Sequence, residues 1–308
     1  MNSNEKAELL LTIEWIFLLS IGMLFFLSML EREMVMEDYF TGFRFKFLGE
    51  LLVKVFLYML LSILAQYVDY RIYYYYSIVL YAMSMLLIVL SGTSYGITEK
   101  GVTRWIAIGY VEFPVVEAAK VVMILMLAYV EQIFSDWEDK RNSRTLVLCV
   151  SGSLMSIFLL VFCKDYQTVL IVLTITFVII AFGSNKDRLQ KLVFILCGVG
   201  DVWKIFKVIV VGITLDGVLK VGIVIAMSLL YLFVSLYAIR VGSEAGSVFG
   251  RIFAYGVAIR FTLLFLFGTV LGNDTFLASG NEIGVFVTIV EIALVLSIER
   301  CGHLKKHR

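Results

Sequence analysis

Long apolar runs alternate along this chain with short clusters of charge. Ten of the runs come near the roughly 20 residues that a helix needs to cross a hydrocarbon core. They lie at about 9–30, 47–66, 74–91, 115–133, 146–163, 166–183, 189–203, 217–239, 251–271 and 283–299. The segments between them are too short to fold as extramembrane domains, and no linker or low-complexity stretch appears. The pattern predicts an all-α polytopic membrane protein of about ten transmembrane helices, organised as one domain over 1–308. The seventh run is broken by Gly198, Gly200, Asp201, Lys204 and Lys207, so 200–216 stays open as a loop, a half-helix or part of a span. The stretch before the fourth run, Gly101 to Gly109, is punctuated by glycine and too polar to be a span.

Composition agrees with this reading. Hydrophobic residues make up 61% of the 308 residues and charged ones 17%, with a mean hydropathy of +0.94. A soluble domain has about 45–50% apolar and about 25% charged residues, and disorder needs low hydrophobicity. Both are excluded. The net charge of +1 gives no sign of a nucleic-acid partner. The four cysteines, Cys149, Cys163, Cys197 and Cys301, form no CxxC pair and read as small buried hydrophobes. His303 and His307 are the only histidines, so neither histidine catalysis in a membrane cavity nor a His-rich metal site is expected. No cofactor is implied.

Lys and Arg are commoner on the side that ten spans assign to both chain ends, and the tail from Arg300 to Arg308 is compactly basic. The positive-inside rule therefore predicts cytoplasmic termini. The opening MNSNEKAE carries little positive charge, and the apolar run behind it is too long for a signal-peptide core, so the first span is expected to be retained. The tyrosines of the run Tyr70 to Tyr76 read as an interfacial belt, with wet hydroxyls on apolar rings.

An ionisable group well inside a span is costly and marks a functional candidate, whereas one near an end can snorkel to the interface. Glu14 and Lys54 are of the second kind. Glu117 and Lys120 lie three apart on one helical face, either as a self-neutralising pair or as the lining of a cavity. Lys164 and Asp165 occupy a very short connection, where turn chemistry also accounts for an aspartate. Arg260 falls about ten residues into the ninth span and needs a partner, for which Glu291 or Glu117 would serve. Glu282 sits in a solvated loop. No phosphate loop, nucleophile elbow or zinc signature is present.

The order of these features resembles the SEDS family, the FtsW/RodA/SpoVE proteins. That family's G-A-R-R-W-I-x-x-G, four residues, Q-P-S-E-x-x-K is met here by Gly101, Arg104, Trp105, Ile106, Gly109, Glu117 and Lys120 in register. Its Q-P-D-x-G-T is met by Cys163-Lys-Asp-Tyr-Gln-Thr168, which keeps Asp165 and Thr168. Phe249-Gly-Arg251 matches a cytoplasmic turn. The outer loop Thr275 to Ile283 keeps Phe276 and Gly280, and the last span ends Leu296-Ser-Ile-Glu-Arg300 as the family's does.

The resemblance implies a protein of the bacterial cytoplasmic membrane that works on lipid II in division, elongation or sporulation, beside a class B penicillin-binding protein. The implied reaction is glycosyl transfer. A carboxylate acts as base on the acceptor sugar, and cations steady the departing lipid pyrophosphate. Arg104, Trp105, Glu117, Lys120, Lys164 and Asp165 would bind substrate. The chain departs from the pattern in lacking the large outer loop between spans seven and eight, and Val208 stands where the favoured catalytic aspartate falls. Asp216, at the first glutamate of the family's next acidic pair, is the surviving candidate acid, with Asp201 nearby. Two other readings stay open. One is a non-catalytic scaffold that binds a penicillin-binding protein. The other is a transporter of lipid-linked precursors, for which no internal repeat is visible.

Overall fold

The computed structural model describes residues 60, 69–99, 101–108, 111–135, 141–182, 186–211, 215–271, 288 and 290–299. The first two predicted spans, residue 60 aside, lie outside these residues, as do the loop 272–282 and the basic tail.

Helix α1 (Tyr70–Ser91) starts at Asp69, whose carboxylate accepts the Arg71 amide at 2.9 Å and caps the first turn. Three strands follow, β1 (Gly96–Glu99), β2 (Val102–Ile108) and β3 (Val111–Phe113), as an antiparallel meander in the order β1-β2-β3. Pro114 then leads into α2 (Val115–Phe134). Helix α3 (Arg141–Phe158) widens into a π turn over Leu159–Cys163 and is followed by α4 (Tyr166–Phe182). The remaining elements are α5 (Lys186–Val211), α6 (Leu215–Glu244), α7 (Val248–Leu271) and a helical segment over 290–299.

The expectation of an all-helical chain is corrected at the sheet. Val102, Thr103, Trp105, Ile106 and Ile108 are β-branched or aromatic, the types that suit a pleated surface. Gly101 supplies the φ of +82° that the β1–β2 turn uses. Pairing Ile97 with Trp105 and Ile106 with Phe113 satisfies the backbone of a non-helical segment within the fold. The seventh run is resolved as helix. Its glycines and Asp201 lie inside α5, which is continuous to Val211.

Among the described residues, four helices are long and apolar enough to cross a membrane: Tyr70–Ser91, Ser143–Cys163, Ile225–Glu244 and Val248–Phe267. Tyr166–Phe182 is a shorter apolar helix. Of these four, Val248–Phe267 in α7 is the most enclosed, and α2, α4, α5 and α6 pack on α7. Its contact with α2 is close, since a Cβ on Gly256 would lie 2.4 Å from Ile124 Cγ2. Outward-facing apolar residues such as Ile72, Val79, Leu86, Val150, Phe177 and Val202 are what lipid requires.

Polar contacts gather at the two ends of the bundle. At one end the Tyr70 amide donates to Ser297 Oγ at 3.1 Å, the Phe249 amide donates to Gln132 Oε1 at 3.0 Å, and Arg144 pairs with Glu131 at 3.3 Å. The opposite end carries the sheet, the start of α2 and the start of α4.

Candidate functional site

At the sheet end, two loop-to-helix junctions, strand β2 and the interior of α7 deliver charged side chains to one place. Pro114 starts α2 and puts Glu117 in its first turn, where the exposed amides of a helix N-terminus favour negative charge. Lys120 follows one turn later and is almost wholly buried. Its ammonium donates to Glu117 Oε1 at 2.5 Å.

The second junction is the end of the π turn. Lys164 sits in the left-handed region, φ 56° and ψ 28°, which is uncommon for a side chain other than glycine. That reversal leaves Lys164 exposed and turns Asp165 inward to 1% exposure. Asp165 Oδ1 accepts the Thr168 amide at 3.1 Å and Oδ2 accepts the Thr168 hydroxyl at 2.9 Å, which caps α4. The same Oδ2 accepts Arg104 Nε from strand β2 at 2.9 Å. Asp165 also lies close enough to Lys120 for their charges to interact.

The third contribution comes from α7. Arg260 Nη2 donates to Glu117 Oε2 at 2.9 Å, while Nη1 donates to Glu291 Oε2 in the 290–299 segment. Both partners named from the sequence are therefore engaged at once. Three cations, Arg104, Lys120 and Arg260, face three carboxylates, Asp165, Glu117 and Glu291. The cluster has no formal net charge, which is the condition for keeping it inside the bundle. Glu117 is 22% exposed and Arg104 is 34% exposed, so these two are its open members.

The structure thus brings together Arg104, Asp165, Glu117 and Lys120 of the predicted set. Trp105 stands beside Arg104 at 5% exposure, with no hydrogen-bond partner for its indole N–H among the described residues. Lys164 adjoins the group without an ion pair to it among the described residues. Asp216 is the second residue of α6 and Val208 belongs to α5, but their side chains lie outside the described ones. Asp201 accepts the Ser228 hydroxyl of α6 at 2.8 Å rather than a member of the cluster. Arg260 and Glu291 were missing from the predicted site. Their signal was charge deep in an apolar run.

A bundle of apolar helices around a charge-balanced interior cluster defines an integral membrane protein. The FtsW/RodA/SpoVE family of cell cycle proteins matches it over residues 8–215, and the chain belongs to that family. A comparison with curated protein sequences gives no match. Solved structures share the fold. The crystal structure of the rod shape determining protein RodA of Thermus thermophilus superposes with a TM-score of 0.64 at 19% identity, covering 93% of this chain and 96% of that one. An aspartate-to-alanine variant of the same RodA gives 0.57 at 21% identity, covering 80% and 86%. A structure concerned with the coordination of polymerization and crosslinking by a peptidoglycan synthase complex gives 0.59 at 20%, covering 80% and 88%.

Proposed function

We propose that this protein is a shortened SEDS-type membrane protein of ten spans, with both ends in the bacterial cytoplasm. Residues 1–308 form one domain without the large outer loop between spans seven and eight. On this topology the sheet end faces outward, and its charge cluster handles lipid II or a related lipid-linked precursor beside a class B penicillin-binding protein. The observation that carries the reading is the meeting of Arg104–Asp165 with Glu117–Lys120 from motifs 61 and 3 residues apart in sequence.

The chemistry divides among these groups. Arg104 and Lys164 are the accessible cations and would hold the pyrophosphate. Trp105, buried beside Arg104, would back the precursor site. Glu117 already has one oxygen on Lys120 and the other on Arg260. Asp216 would serve as the carboxylate base of glycosyl transfer, a role for which Val208 has no group.

The test is polymerisation. The purified protein, given lipid II and its cognate penicillin-binding protein, is expected to make glycan strands that shorten or vanish with Asp216→Asn. No polymer under conditions where another family member works would refute the enzyme. The second reading, a scaffold that holds the penicillin-binding protein without catalysis, is favoured by Val208 and by the self-paired cluster. Co-purification with that partner in the absence of polymer would support it.

A further inference from the structure

Arg260 and Glu291 lie outside every motif that carries the family resemblance, yet they occupy the deepest place in the ion network. Exposure falls along the series from Glu117 at 22% to Arg260 at 1% and Glu291 at 0%. Arg260 uses both terminal nitrogens, one on Glu117 and one on Glu291. Its cation therefore faces the partly open carboxylate, and its own counter-ion lies behind it.

We infer that Arg260 and Glu291 form a positioning pair that frees the Lys120 ammonium for an anionic ligand group. Lys120 donates to Glu117. If the ammonium turned toward a ligand phosphate, Glu117 would lose that cation, and stripping one partner from a buried pair is strongly unfavourable. Arg260 gives Glu117 a second cation, so Lys120 can be shared with the ligand. Glu291 keeps Arg260 paired in its turn, so the support adds no net charge to the membrane interior. The pair is an oriented dipole with its positive end toward the site, an arrangement that favours an anion there. The inference rests on the reading of this site as one for a lipid-linked diphosphate.

Lipid II binding by the full chain in nanodiscs, with thermal unfolding of the same samples, tests it. R260M alone and E291L alone strand a buried charge and are expected to lower Tm. The double variant R260M/E291L removes both charges and is expected to unfold near the parent's Tm. Its affinity for lipid II is expected to fall at least about tenfold, the size of one charge-assisted contact. Arg260→Lys keeps the cation but lacks the planar fork that spans two carboxylates, so its affinity should fall between those of the parent and the double variant. A double variant that folds and binds as tightly as the parent overturns the inference. Should the double variant fail to fold, parental affinity in Arg260→Lys overturns it instead. Binding lost in Lys120→Ala but kept in the Arg260 variants also overturns the inference alone. A parent that binds no lipid II overturns the reading of the site, and the inference falls with it.

Discussion

Replacing Asp165 by alanine tests how the cluster is assembled. The carboxylate makes three hydrogen bonds from a position of 1% exposure: two from Thr168, at 3.1 and 2.9 Å, and one from Arg104 at 2.9 Å. The bonds to Thr168 cap α4, and losing a helix N-cap costs about 1 kcal/mol. The bond to Arg104 ties strand β2 to that helix. Arg104 is 34% exposed, so solvent compensates much of its loss and its share is roughly 0.5–1 kcal/mol. Asp165→Ala is thus expected to cost about 2 kcal/mol, or a fall in Tm of roughly 4–6 °C for a chain of this size. Asp165→Asn keeps an oxygen to cap α4 and gives up the charge, so it should cost about half as much. Thermal unfolding in detergent, followed by tryptophan fluorescence, gives all four corners of a cycle with Arg104→Ala. The coupling between the two sites should be near 1 kcal/mol, as for residues in direct contact. An Asn variant as damaged as the Ala variant would refute the capping argument. Strict additivity in the cycle would refute the strand-to-helix tie.

Gly256→Ala places a methyl group 2.4 Å from Ile124 Cγ2, so α2 and α7 must part. It should cost about 1–3 kcal/mol in unfolding experiments, and Ile124→Ala in the same chain should recover part of that. Gly101→Ala meets open space but a φ of +82°, so backbone strain alone should cost about 1 kcal/mol, read as a lower Tm. Lys164→Gly relieves the left-handed lysine and should leave stability unchanged or raised by roughly 0.5 kcal/mol. The same variant should bind lipid II more weakly, and undiminished binding in nanodiscs would remove Lys164 from the site.

The helices were legible in the sequence because lipid imposes a length and a polarity that a linear reading detects. Predicted 115–133 and 166–183 correspond to Val115–Phe134 and Tyr166–Phe182. The sheet was not legible, because three short strands around Gly101 look like any polar connection until their pairing is known. The broken seventh run left 200–216 open for a related reason. Gly198, Gly200 and Asp201 read locally as interruptions, but a helix tolerates them when neighbouring helices engage its polar groups, as Ser228 does for Asp201.

The site divides along the same line. Glu117–Lys120 is local, three residues apart on one face, and periodicity finds it. Arg104–Asp165 spans 61 residues, and Arg260 reaches 31 residues to Glu291 and 143 to Glu117. For those pairs the sequence yields only the energetic demand that a buried cation must meet a carboxylate, not which carboxylate answers it. That demand is still informative. A lone Arg260 in α7 would be intolerable, so its two partners are a physical requirement of the fold as well as part of the site. It follows that charge balance and chemistry are coupled at this end of the bundle. A residue that acts here by releasing its counter-ion must leave another cation in place behind it, and Arg260 is positioned to be that cation for Glu117.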